Sequence, residues 1–429
     1  MLISLFTGVL FGLVPALQIS HPNLVADLKQ ETVMTGQSRR RPGLRNVLVV
    51  SQVTLSIVAL VAAGLFLRSL GSAQRIDPGF DTVRLSVITM NPGQRGYDQA
   101  QTEQFYDQIV ERVGGRPGVR KVSLASNLPL FGGFQRSVFL EGSDTQDKSK
   151  GILVQTNTVD LDYFDTSGIG FLKGRDFTAM DREGSVHVAV INETMAGRFW
   201  PKQEALGKHF RLYGDKGFDR EVVGIVKTSS YVTLGETPQS CVFLPMRQNY
   251  SDAMNLYVAS VGEPGPALAA ALHEVKALDR QMPTLNVWTM PQLIDQSLWP
   301  VKLGAGLLAV MGLLALALAA VGLYGVLGYW VNQTHREIGI RMAIGASRPD
   351  VLKMVLRRAM TLVGIGLGLG VALSLGVAQL IKSILYGSAT DPVIFVGVPL
   401  LLCAVALIAS FIPARRASHV DPLVALREA

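Results

Sequence analysis

Five stretches of the chain carry no charged side chain: Leu2 to Ser20, Asn46 to Leu67, Leu303 to Val331, Ala359 to Ile381 and Val393 to Ile412. About 20 apolar residues at a rise of ~1.5 Å span a hydrocarbon core of ~30 Å, so each run predicts a membrane-crossing helix. The third run, 29 residues long, exceeds one crossing and predicts a helix that tilts or projects beyond the lipid. Between Ser69 and Pro300 the pattern changes. Apolar positions thin out, and turn signals recur, among them Asp77-Pro78-Gly79, Asn91-Pro92-Gly93, Arg116-Pro117-Gly118, Phe131-Gly132-Gly133 and Pro264-Gly265-Pro266. Thr102 to Val113 sets Phe105, Ile109 and Val113 on one helical face, and Val119 to Ala125 reads as the strand that follows. His187 to Ile191 and Glu221 to Val226 are further β-branched runs, and Ala267 to Asp279 reads as a second helix. The expected fold is an integral membrane protein: an α-helical transmembrane bundle of five predicted spans, with a large α+β extracytoplasmic domain inserted between spans two and three.

Composition agrees with a membrane protein. Of 429 residues, 48% are hydrophobic and only 17% charged, and the mean hydropathy is +0.31. A net charge of +7 would fit nucleic acid if the basic residues formed one patch, but they cluster in the connections between spans, so no nucleic-acid partner is expected. Residues 21–45, 332–358 and 413–429 together hold fourteen Lys and Arg against six acidic residues, whereas the insert 69–300 holds 23 against 26. Basic loops stay in the cytoplasm. The insert is therefore expected outside and the C-terminus inside. With only two cysteines and Cys403 in an apolar run, a disulfide-stapled fold is excluded, and Cys241, if outside the membrane, has no intramolecular partner.

At an offset of 398, Pro15-Ala16, Ser20-His21 and Leu28-Lys29-Gln30 line up with Pro413-Ala414, Ser418-His419 and Leu426-Arg427-Glu428. Each copy follows an apolar run, which suggests that the first span ends a preceding module.

Several chemistries are missing from the string. It contains no GxxxxGK[ST] loop for phosphates and no GxSxG elbow, and the six histidines form no Cys/His cluster. His273-Glu274-Val275-Lys276-Ala277 lacks the second histidine of a zinc helix and reads as a solvated helix. No catalytic, cofactor-binding or metal-binding residue is expected, and ATP is expected on a partner subunit. Gly364, Gly366, Gly368 and Gly370 lie inside a span rather than after a strand, so they predict close helix packing through two small-xxx-small pairs. Gln52 and Gln379 are the bulkiest polar groups deep in the spans, and interhelical hydrogen bonding is expected of them ahead of a direct functional role. With no ionisable group in the spans, a proton relay or charged filter is not expected. A stiff third span joining a cytoplasmic loop to the external domain instead predicts a lever.

The loop Asn332 to Arg358 mixes Ile338, Ile340, Met342 and Ile344 with Arg336, Glu337 and Arg341; Gly345 reads as a helix stop and Ser347-x-x-Asp350 as the next N-cap. From the residues alone, it reads either as an interfacial helix held on anionic headgroups or as a docking element for a cytoplasmic ATPase.

Arg336-Glu337-Ile338-Gly339-Ile340-Arg341 with Ala343-Ile344-Gly345-Ala346 resembles the signature of MacB/FtsX-like permeases, membrane subunits of ABC-type machines. Val188 to Leu212 and Glu221 to Met246 resemble the MacB-like periplasmic core domain. Val49 to Val53, Gly64 to Leu70 and Asp77 to Phe80 are similar to the second module of duplicated orphan permeases. The resemblance implies a four-span module, from which the chain departs at its N-terminus by one extra span: a residual helix of a preceding module over 1–20, a basic cytoplasmic segment over 21–45 and a span over 46–68. A periplasmic core domain would follow over 69–300, then a permease domain over 301–429 with spans at about 303–331, 359–381 and 393–412. It further implies a permease of the bacterial cytoplasmic (inner) membrane, working in export or efflux with a separate cytoplasmic ABC ATPase. Arg336 to Arg341 and Gly345 would form the ATPase-coupling loop. Other implied partners are the bilayer, a second copy or another permease module, and an extracytoplasmic adaptor or enzyme. The alternatives are an FtsX-like scaffold that signals to an external enzyme, and a truncated, non-functional fragment.

Overall fold

The computed structural model describes residues 44–73, 75–140, 151–212, 219–382, 385 and 390–418. The first expected span, the basic segment after it up to residue 43 and most of the offset repeat lie outside the described residues. In chain order, the elements begin with helix α1 (Leu44–Ala73), followed by β1 (Leu85–Met90), α2 (Gln99–Gly114), β2 (Val119–Ala125), β3 (Phe134–Leu140), β4 (Ile152–Val159), α3 (Tyr163–Ser167) and β5 (Phe171–Gly174). Next come β6 (Val188–Asn192), α4 (Glu193–Phe199), β7 (His209–Leu212), β8 (Arg220–Val226), β9 (Cys241–Pro245), β10 (Met254–Ser260), α5 (Pro264–Leu278), β11 (Thr284–Thr289) and α6 (Met290–Ser297). The chain then forms α7 (Trp299–Gln333), α8 (His335–Ala343), α9 (Arg348–Ile381) and α10 (Pro392–Ser418).

Among the described residues, four helices, α1, α7, α9 and α10, are long and apolar enough to cross a membrane. Helix α1 lies innermost. Its Val49, Val53, Ile57, Val61 and Leu65 recur every fourth residue and are almost fully buried. They meet similar ridges of α7 (Ala319, Leu323, Leu327, Val331) and α9 (Val351, Val355, Ala359, Val363), the interdigitation expected of i, i+4 rows. Helix α7 has 35 residues and is therefore about 52 Å long at ~1.5 Å per residue, well beyond a ~30 Å core.

The insert has two lobes. In the first, β11-β1-β10-β2 form an antiparallel sheet. Helices α2 and α5 cover it through Phe105, Tyr106, Ile109, Val113, Ala271 and Val275. The order β1-α2-β2 and β10-α5-β11 is that of a split β-α-β-β-α-β unit. Here the link from β2 to β10 is expanded into the second lobe. There, β4-β3-β7-β8-β6-β9 close into a ring, because β9 pairs in parallel with β4 from Gln155↔Cys241 to Val159↔Pro245. Closure removes the exposed edges that an open sheet would present. Ile191, Phe210, Val222 and Val242 of the ring pack with Phe199 and Trp200 into one core.

A further apolar cluster joins the domain to the bundle. Ala73 at the end of α1, Met290 and Leu293 of α6 and Leu298 just before α7 are buried with Phe80, Tyr163, Phe164, Phe243 and Tyr257. The ends of both helices are thus built into the external core.

Candidate coupling segment at the far end of the long helices

Opposite that junction, α7, α8 and α9 follow one another through two tight corners. At the first, the Thr334 hydroxyl donates to the Trp330 carbonyl at 2.7 Å, while the Thr334 carbonyl accepts from the Ile338 N–H at 2.9 Å. At the second, Gly345 adopts φ +108°. The Ala346 N–H reaches the Arg341 carbonyl at 2.9 Å and the Gly345 N–H the Met342 carbonyl at 3.1 Å. This is the bond pair of a Schellman stop, which favours glycine at the left-handed position. Two residues on, Ser347 and Asp350 form a reciprocal capping box that starts α9, well before the charge-free run begins.

The signature residues divide between two faces. Ile338 is 0% exposed and packs into the bundle core, and Gly339 is buried beside it. Glu337, Ile340, Arg341 and Gly345 are exposed, and Ile344 is 82% exposed. The side chain of Arg336 lies outside the described residues. Glu337 and Arg341 pair one turn apart at 2.6 Å, and Arg341 Nη1 donates to Met354 Sδ on α9 at 2.8 Å. Exposed i, i+4 pairs contribute only ~0.3–0.5 kcal/mol. This pair therefore orients two charges without fixing the fold. Ile338 and Gly339 anchor the segment to its own bundle, which leaves Glu337, Ile340, Arg341 and Ile344 as the surface a partner can reach.

Aromatic rings and cations surround this end. The Arg45 guanidinium sits 4.1 Å from the Tyr329 ring centre, that of Arg358 sits 4.9 Å from the Trp330 ring centre, and Arg416 Nη1 donates to the Tyr324 hydroxyl at 3.2 Å. Rings of Trp and Tyr with basic neighbours mark a lipid–water boundary.

The four span glycines do not act as one feature. A Cβ on Gly366 would lie 2.9 Å from Val53 Cβ, and one on Gly370 would lie 2.9 Å from Ile57 Cβ, so this pair faces α1. The Thr54 hydroxyl donates to the Gly366 carbonyl at 3.1 Å across the contact. Gly364 and Gly368 meet nothing described within 4 Å, because residues two apart on a helix point to different sides. The Gln52 amide oxygen would lie 2.7 Å from a Cβ on Gly322 of α7, yet has no hydrogen-bond partner among the described residues. Gln52 thus touches a second helix through an oxygen that makes no hydrogen bond among the described residues, and Gln379 is exposed.

Two further features escaped the sequence reading. Arg68 of α1 is ion-paired with Asp391 at the start of α10, and the Asp391 carboxylate also accepts from the Val393 N–H at 2.9 Å. The signal was a single acidic residue directly ahead of an apolar run. On α5, Glu274 is buried and paired with the half-exposed Arg116, while its neighbour His273 is exposed, so the helix is solvated on one face and Glu274 lies off that face.

A bundle of apolar helices with a two-lobed domain at one end and a short exposed helix at the other fits the class of multi-pass membrane permeases. Two family models match the chain: the MacB-like periplasmic core domain over residues 46–278 and the FtsX-like permease C-terminal over 309–422. The first alone covers more than half of the sequence, and the chain belongs to the MacB-like branch of the ABC transporter permeases. Curated relatives named macrolide export ATP-binding/permease protein MacB include those of Rhodospirillum rubrum and Azoarcus sp. The former is 23% identical over 94% of this chain and 61% of the relative. The latter is 24% identical over 95% and 61%. The chain therefore spans less than two thirds of these relatives and carries their permease-like part. Among solved structures, the periplasmic region of MacB from Actinobacillus actinomycetemcomitans aligns at 14% identity and a TM-score of 0.35, covering 53% of this chain and 98% of that one.

Proposed function

We propose that the chain is the permease subunit of an ABC-type export system, with ATP hydrolysis on a separate cytoplasmic ATPase moving the external domain. In this reading the basic segments 21–45, 332–358 and 413–429 lie in the cytoplasm, residues 69–300 form the periplasmic domain, and the C-terminus is inside. Helix α8 is the docking element, and α7 carries its displacement outward. The observation that carries the proposal is continuity: α7 runs unbroken from the corner with α8 to Leu298, which is buried in the external core. A push on α8 has no flexible linker in which to dissipate. Pairing with a second copy, or with another permease module, and an adaptor on the outer face complete the assembly.

Reversing the charge in Glu337→Lys replaces an ion pair of ~0.3–0.5 kcal/mol with a repulsion of similar size, so insertion and folding survive. Co-reconstituted with its ATPase, the variant is expected to lose movement of the external domain, read by fluorophores on the two lobes, while ATP hydrolysis continues. Normal coupling would remove the docking assignment. Stimulation of hydrolysis by a small amphiphile identifies export, whereas stimulation only by a folded external protein identifies signalling.

A further inference from the structure

We propose that the basic end of the bundle holds an anionic glycerophospholipid in a defined site between α1, α7 and α9. An open hollow of about 420 Å³ is lined there by Asn46, Trp330, Arg357 and Arg358, with Leu362 on its apolar side. Both arginines are exposed. Neither has a carboxylate partner among the described residues; the described contact of Arg358 is its stacking on Trp330 at 4.9 Å. Guanidinium forks match phosphate oxygens in pairs, and basic pockets between membrane helices at this face suit acidic headgroups. The Thr361 hydroxyl is committed to the Arg357 carbonyl at 2.8 Å, so Asn46 supplies the neutral donor.

The occupant is a lipid rather than a soluble anion because the hollow lies on a membrane-length helix, with Leu362 in its lining. One and two turns beyond Thr361, the Cβ positions of Gly364 and Gly368 meet nothing described within 4 Å, which leaves a furrow for an acyl chain. Met354 lines the same hollow and accepts from Arg341 of α8, so the bound lipid sits against the docking element. The assignment requires only that this end lies at the lipid–water boundary; it is independent of ATPase coupling.

The test uses the full chain in phosphatidylcholine vesicles doped with phosphatidylglycerol brominated on its acyl chains. The readout is quenching of Trp330, defined as the fluorescence lost in Trp330→Phe. Brominated phosphatidylglycerol is expected to quench at a far lower mole fraction than brominated phosphatidylcholine, a comparison that needs no charge variant. At ~1 kcal/mol per cation, Arg357→Gln with Arg358→Gln should raise the half-quenching fraction about thirtyfold, while Arg415→Gln with Arg416→Gln leaves it nearly unchanged. Equal quenching by the two lipids, or equal shifts in the two double variants, overturns the site. Relief of quenching by millimolar inorganic phosphate overturns the lipid assignment in favour of a free-anion site. None of these outcomes depends on the ATPase, so failure here is distinguishable from failure of the coupling proposal.

Discussion

The bundle contains a controlled comparison within one helix. In Gly366→Ala, the new methyl group would sit 2.9 Å from both Val53 Cβ and Val53 Cγ1 and 3.0 Å from the Val50 carbonyl. Ordinary contact between carbons is ~3.5–4.0 Å, so α9 must retreat from α1 by roughly 0.6–1 Å. A side-chain rotation cannot relieve this, because a backbone carbonyl and a Cβ are among the atoms struck. Overpacking of this kind costs ~1–3 kcal/mol, and the retreat also stretches the Thr54–Gly366 hydrogen bond, worth ~0.5–1.5 kcal/mol. Alanine returns up to ~1 kcal/mol of helix propensity over glycine. The net expected loss is about 1–3 kcal/mol. Gly368→Ala, with nothing described within 4 Å, gains the propensity and incurs no clash. Unfolding of the full chain in mixed micelles of rising dodecyl sulfate, followed by circular dichroism, measures both variants against the parent. The packing argument predicts an earlier transition for Gly366→Ala and an unchanged or later one for Gly368→Ala. Equal displacement of the two transitions would refute it.

At the other end of the bundle, Asp391→Ala removes the partner of Arg68 and an acceptor for the Val393 N–H. It should lower bundle stability by about 0.5–2 kcal/mol in the same titration, mostly through the lost acceptor at the helix start, while Arg68→Lys, which keeps the pairing, stays near the parent. In the external domain, burial, aided by the charges of Asp162 and Asp165, pushes the Asp176 carboxyl up to about 6. The folded state then holds a proton that the unfolded chain, titrating near 3.8, has already released, so stability falls as pH rises from about 4 to about 6. Asp176→Asn should abolish that decline, with an advantage over the parent at pH 7.5 that closes by pH 4; urea midpoints read from Trp200 fluorescence check it, and parallel pH profiles would sink the assignment.

The four spans within the described residues were legible because a run without charge has few alternatives to lipid, and the corner between α8 and α9 was legible because Gly345 and Ser347-x-x-Asp350 are local signals. Helix lengths were not legible from the charge-free runs alone, and the Ser347 cap was the added signal for one start. Helix α9 begins at Arg348, among charges, since a capping box and interfacial cations extend a helix past its hydrocarbon segment. The two lobes were hidden for a different reason. Strand β2 pairs with β10 across the whole second lobe, and β4 closes on β9 in parallel; periodicity reports the face of a strand and not its distant partner. At the candidate site, spacing named the segment but not its faces. Ile338 and Ile340 look equivalent in the string, yet one is buried in the bundle and the other is exposed, a choice made by how α8 folds back on α7.

The account rests on α8 and the two-lobed domain occupying opposite sides of a membrane. Met180 in the domain is 83% exposed and Ile344 beside α8 is 82% exposed, so each accepts cysteine without repacking. Cys241 is buried, with a thiol pushed far above the ordinary range by burial, and Cys403 lies within an apolar helix, so neither competes for a polar reagent. A membrane-impermeant maleimide added to intact cells stripped of their outer membrane should label Met180→Cys at once and Ile344→Cys only after lysis. Labelling of both before lysis, or of neither, would contradict the account.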